Sequence, residues 1–200
     1  FIYFHGFLNS GINDSSRSKF YENEISQRII NVPRNIAFHR VEWKPTENMV
    51  LGLNESVIYS VRNLDLHYLI PVSPFYPIEN YLGDTDNIQM GFDLLYTLTA
   101  KQNFYIGFFM DELTPEWIFS SKNHNWFAYQ LGYGIDDLIF QNSSFIFEYN
   151  WTDQRIYKHK YKINDFYSHA EPLGFWAGPH SEELLASYSL MLDYSEININ

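Results

Sequence analysis

Residues 90–112 read MGFDLLYTLTAKQNFYIGFFMDE, and apolar side chains recur there at every second position on both sides of a short polar break. Met90, Phe92, Leu94, Tyr96 and Leu98 share one parity; Gly91, Asp93, Thr97 and Thr99 share the other, with Leu95 the one misfit. The second arm sets Phe104, Ile106, Phe108 and Met110 against Tyr105, Gly107, Phe109 and Asp111. A period of two over such lengths defines antiparallel strands, with Lys101-Gln102-Asn103 as their turn. The chain must therefore give each apolar face a second apolar surface, either a protein core or a hydrocarbon layer.

The same alternation continues. Phe127, Tyr129, Leu131, Tyr133 and Ile135 oppose Ala128, Gln130, Gly132, Gly134 and Asp136; Phe145, Phe147, Tyr149 and Trp151 oppose Ser144, Glu148, Asn150 and Thr152. Leu184, Ala186, Tyr188, Leu190, Leu192 and Tyr194 oppose Glu183, Ser187, Ser189, Asp193 and Ser195. Arms of about 9–12 residues suit tilted strands crossing a bilayer better than the shorter strands of a soluble sheet. The polar parity holds Ser, Thr, Gly, Asn and acids with few lysines, as a water-filled lumen requires. With 17 Phe, 16 Tyr and 5 Trp, the chain can furnish aromatic girdles at strand ends. Its mean hydropathy of −0.30 does not conflict with this, because half-polar strands average to that value. No apolar run is long enough for a transmembrane helix. A soluble β-sandwich or a lipocalin-like barrel alternates equally well and stands as the competing architecture.

The expected fold is an all-β, antiparallel transmembrane β-barrel of about nine strand arms, a single domain over residues 1–200 and an excerpt of a larger barrel. Strands are predicted over 1–9, over a hairpin turning at Pro45–Asn48, and over the arms above. In that hairpin Arg40, Glu42 and Lys44 face away from His39, Val41 and Trp43. Residues 11–34 form a polar stretch in which SKFYENEISQRII reads as helical. Residues 61–87 form a long loop whose prolines exclude a central strand.

A formal charge of −11, from 24 acids and 13 bases, excludes a phosphate-backbone partner. No cysteine is present, so neither a disulfide framework nor a thiolate site is available. Enzyme readings find little support. Asp111 and Glu112 are adjacent on a strand and point to opposite faces, so they cannot flank one scissile bond. His159, His169 and His180 lack a compact metal-ligand spacing. PLGFWAGPHSEEL lacks the Lys-Ser/Thr of a phosphate loop, and no GxSxG elbow occurs. No cofactor is expected.

In order along the chain, IAFHRVEWKPTENMVLGLNESVIYS, HYLIPVSPFYPIEN, DNIQMGFDLLYTLTAKQNFYIGFFMDE, SSFIFEYNWTDQRIYKH and YSHAEPLGFWAGPHSEELLASYS resemble the capsule assembly protein Wzi family of bacterial outer membranes. The resemblance runs over nearly the whole chain and lies in the ordered series rather than in any catalytic motif. It implies a non-enzymatic barrel in the outer membrane, in contact with lipid and lipopolysaccharide and associated with capsular or other surface polysaccharide. A porin-like or structural barrel without a specific glycan is the alternative. Arg40, Glu42, Glu55 and Asp93 fall in the matching motifs of the early arms, with Asp111 and Glu112 closing YIGFFMDE. Glu148, Asn150, Arg155, Tyr157, Lys158 and His159 lie where a strand runs into a loop. These residues either contact polysaccharide or form a lumenal network that pairs across strands. Glu55 shares its parity with Leu51 and Leu53 unless a bulge intervenes. Arg155, Lys158, Lys160 and Lys162 supply the local cations an acidic capsule would need from an acidic chain.

Overall fold

A computed structural model describes residues 1–111, 125–192 and 195–199. Its framework is one antiparallel meander of nine strands: β1 (Ile2–Phe7), β2 (Arg34–Thr46), β3 (Met49–Ser60), β4 (Asn87–Thr99), β5 (Gln102–Asp111), β6 (Trp126–Asp136), β7 (Ser143–Thr152), β10 (Glu182–Leu192) and β11 (Ser195–Ile199). Two short strands, β8 (Tyr167–Ser168) and β9 (Glu171–Pro172), pair with each other in the connection between β7 and β10. Each strand of the meander pairs with its neighbour in sequence, and the sheet is open, with β1 and β11 at its edges.

Register turns the alternation into two chemically distinct faces. On one face Trp43, Leu51, Leu94, Ile106, Leu131, Tyr149 and Leu184 form a continuous cross-strand row. The rows above and below it are richer in aromatics: Leu53, Phe92, Phe108, Tyr129 and Trp151 on one side, and Tyr96, Phe104, Tyr133 and Phe147 on the other. On the opposite face Glu42, Gly52, Asp93, Gly107, Gln130, Asn150 and Glu183 form a row. The expected partition therefore holds: Phe92, Phe108, Tyr129, Phe147 and Leu190 share the apolar face, and Asp93, Asp111, Gln130, Glu148 and Ser189 the polar one.

The two ends of the sheet differ. Glu47–Asn48, Ala100–Lys101 and residues 137–142 close one end tightly, whereas 8–33, 61–86 and 153–181 are long connections at the other. The hairpin between β4 and β5 is tighter than the sequence suggests, since Gln102 and Asn103 already pair with Thr99 and Thr97. Two long connections build the packed cores, one on each face. Segment 153–181 lays Ile156, Tyr157 and Phe166 on Ile36, Ile58 and Ala128 of the polar face, with Phe109 and Trp126 packed alongside. That explains large apolar residues at polar parity. Segment 61–86 lays Tyr68 and Phe75 on Ala37, Val57, Tyr59 and Ile88 of the apolar face. An Arg62–Asp86 pair (2.5 and 2.9 Å) and the Tyr68 hydroxyl donating to Asp86 (2.7 Å) close this second connection on itself.

Two local expectations change. Segment 61–86 contains a helix, α2 (Phe75–Leu82). Pro74 precedes it and Pro77 sits in its first turn, where a missing N–H removes no helical bond. Gly83 ends it with φ +103° in the left-handed region, its N–H and that of Asp84 closing back onto the last turn. Conversely, SKFYENEISQRII is not a helix. A single turn, α1 (Ser15–Ser18), capped by Asp14, runs into a 3₁₀ turn at Lys19–Tyr21. The chain then reverses, because the Asn23 side-chain oxygen accepts from the N–H groups of Ile25 (2.9 Å) and Ser26 (2.8 Å).

Candidate functional site

The polar face beneath segment 153–181 carries an open recess of about 310 Å³. Its floor presents Asn54 of β3, Asp93 of β4, Gln130 of β6 and Asn150 of β7, and Phe109, Tyr157, Gly174 and Phe175 are among the other lining residues. Strand parity delivers the floor, whereas the roof is delivered by tertiary docking. Tyr157, nearly fully buried with φ +71°, donates its N–H to Asp111 (2.5 Å), and its hydroxyl accepts from the Phe175 N–H (2.8 Å). Burial pushes its phenol above the ordinary value. Gly174 is needed against that ring: a Cβ there would lie 2.4 Å from Tyr157 Cζ.

A bonded network surrounds the recess. Arg40 grips Asp93 through both terminal nitrogens, Nη2 at 2.7 Å from Oδ2, and donates Nε to Glu42 (3.1 Å). Gly52, between Glu42 and Asp93 in the row, leaves the space this guanidinium occupies. Tyr105 lies across Gly132 to reach Glu148 (2.6 Å), which also accepts from Asn150 (2.6 Å); Asn150 donates in addition to Glu183 (3.0 Å). Ser56 donates to Gln89 (2.8 Å), and Gln89 to Asp111 (3.2 Å). Buried Asp111 thus couples the sheet to the roof.

The structure brings Arg40, Glu42, Asp93, Asp111, Glu148 and Tyr157 together around this face. Glu55 is elsewhere. No bulge interrupts β3 near it, so it lies on the apolar face with Leu51 and Leu53. There it accepts from the N–H groups of Phe75 and Tyr76 (both 2.8 Å) and contacts His39 Nε2 (3.0 Å). It supplies the N-terminal cap that Pro74 cannot give α2. Glu112 lies outside the described residues.

The basic segment is tied to neighbouring acids more than it is free. Lys158 pairs with Asp165 (3.3 Å) and stands over the Tyr167 ring (4.2 Å), and Lys160 pairs with Asp84 (2.5 Å). His159 donates its backbone N–H to Asp165 (2.9 Å), and its ring lies tilted at 58° to that of Tyr161. Arg155 is exposed, its guanidinium 5.5 Å from the centre of the Trp126 ring. His169 and His180 sit in separate turns, and among the described residues no three acidic or histidine side chains converge as a metal set.

Asn54, Phe109 and Phe175 were not among the residues singled out from sequence. Asn54 was legible, since Gly52, Asn54 and Ser56 alternate with Leu51, Leu53 and Glu55. Phe175 carries no local signal, because a loop docked from far along the chain places it. In comparison with known proteins, no family model, no curated protein and no solved structure matches the chain.

Proposed function

We propose that this chain forms wall of a bacterial outer-membrane β-barrel that associates with surface polysaccharide and carries out no catalysis. One observation carries the membrane reading: among the described residues the apolar face of the sheet is uncovered beyond α2, with Val41, Trp43, Leu53, Phe92, Phe108, Leu131, Phe147 and Leu184 all exposed. In water a contiguous apolar patch marks an interaction surface or an aggregation liability, whereas in lipid it is the expected outer surface. The opposite face, hydrogen-bonded across strands, suits a lumen. The contrast between tight hairpins at one end and long connections at the other matches periplasmic turns and extracellular loops and supports a recess on the exterior side. Among the described residues the backbone edges of β1 and β11 are open, and in hydrocarbon both would need strand partners.

The polysaccharide reading draws on the resemblance to the Wzi family and on the recess. The Asn54 amide can bond sugar hydroxyls, the Asn150 amide oxygen remains an acceptor once its N–H groups are given to Glu148 and Glu183, and the Phe175 ring offers an apolar face. A porin-like wall without a specific glycan is the second reading. It draws on the saturation of Arg40, Asp93, Tyr105 and Glu148 by one another, which makes them rigidifying groups rather than free ligands. Asn54→Ala with Phe175→Ala separates the two. At equal surface abundance and unchanged heat resistance, shedding of polysaccharide into the medium supports the glycan reading. Unchanged retention supports the porin-like wall.

A further inference from the structure

We propose that residues 64–82 form a collar that lies on the lipid leaflet at the long-loop end, buried to the boundary between headgroups and acyl chains. This rests on reading the apolar strand face as lipid-facing. The segment docks on that same face rather than over the polar one: Tyr68 and Phe75 pack on Ala37, Val57 and Ile88. Its height is set by two contacts to one row. The Pro71 carbonyl lies 3.1 Å from His39 Nδ1, and Glu55, the cross-strand neighbour of His39, holds the N–H groups of Phe75 and Tyr76. The next residues of that face toward the sheet centre are Val41 and Leu53, 50% and 62% exposed, about 7 Å away along the strands. The collar therefore sits directly on the rim of the uncovered apolar band.

Its own surface chemistry continues the band. Residues 69–78, LIPVSPFYPI, contain no charged side chain in a chain of net charge −11. Ile70 and Val72, on either side of the anchored Pro71, are 51% and 76% exposed, and Tyr81 on α2 is 83% exposed. The charges flanking this stretch are held inward: Arg62 bonds Asp65 and Asp86, His67 bonds Asp65, and Glu79, the residue after Ile78, is buried. Packing is already supplied by Tyr68, Phe75 and Ile78, so the outward apolar residues add nothing to the core. An uncharged, aromatic-tipped shelf continuous with a lipid-facing wall has the composition of an interfacial element.

The absence of cysteine allows a direct test. Val72→Cys, Leu53→Cys and Gln154→Cys, all at exposed positions, are labelled singly with an environment-sensitive fluorophore. The full chain is then refolded into phosphatidylethanolamine–phosphatidylglycerol vesicles containing lipid brominated high on the acyl chain. Quenching at Val72 within about twofold of that at Leu53, and well above that at Gln154 on the loop over the polar face, is expected for an interfacial segment. Quenching at Leu53 with Val72 at the level of Gln154 overturns the collar and leaves the patch for a protein partner, while the barrel wall stands. No quenching at Leu53 overturns the membrane reading itself, and the collar with it.

Discussion

Replacing Glu55 with alanine should detach α2 while leaving the sheet paired. The carboxylate is buried and accepts two backbone N–H groups at 2.8 Å, one of them from Phe75, which is itself fully buried. Hydrogen bonds to charged groups contribute about 1.5–3 kcal/mol each, and a buried donor left unpaired costs about 1–3 kcal/mol. The favourable placement of an anion at a helix N-terminus adds about 0.3–1 kcal/mol. These contributions overlap, so about 3 kcal/mol is the expected local loss, which raises the opening equilibrium on the order of 100-fold. Glu55→Gln keeps one acceptor and should lose about half as much. Amide hydrogen exchange resolved by peptide mass spectrometry reads this directly: residues 75–83 should lose protection, and β4 and β5 should keep theirs. Unchanged protection of 75–83 in the folded Glu55→Ala variant would refute the capping role. Equal loss across the sheet would show that α2 is not a separable unit.

Phe108→Arg should cost about 2–4 kcal/mol on folding into vesicles, measured by urea titration, whereas the same change at Gln130 should cost far less; equal costs would contradict the two-faced wall. Gly132→Ala should weaken the polar network by displacing Tyr105, since the added Cβ would fall 1.9 Å from Tyr105 Cζ. A heat-modifiability shift is the readout, and pairing it with Tyr105→Ala should recover part of the loss. Glu79, 5% exposed, is pushed up to about 8 by burial and by the Asp84 and Asp86 carboxylates, with Lys160 acting in the opposite direction. Its neutral form is the one the fold favours, so its contribution is complete below the ordinary glutamate range and is lost as pH rises through about 8. Protease access to the 75–84 segment should accordingly increase with pH over that window, and Glu79→Gln should flatten the profile; a pH dependence identical in both proteins would assign it to another group.

Parity along a strand is a local property, and the sequence alone determined it. Alternation at 90–111, 126–136 and 143–152 sorted Phe92, Phe108 and Tyr129 from Asp93, Gln130 and Glu148, because successive side chains of an extended backbone must point to opposite sides. The order of the arms and their turns followed from the same signal. Helix α2 was also written locally, in the Pro-then-Gly spacing of 74–83, but a stretch dense in prolines reads first as loop. What an ionisable residue does was decided by the tertiary structure. Glu55 has the composition of a site residue and the parity of an apolar-face one, and its role as a helix cap exists only because segment 61–86 folds back over that row. Phe109 and Trp126 are apolar at polar parity for the corresponding reason, with segment 153–181 covering them. Lys158 and Lys160 read as a free basic cluster until the turn at Lys162–Asn164 brings Asp165 back to Lys158 and docking sets Asp84 beside Lys160. Contacts between residues far apart in sequence depend on cross-strand register and loop docking, and no periodicity within either segment encodes them.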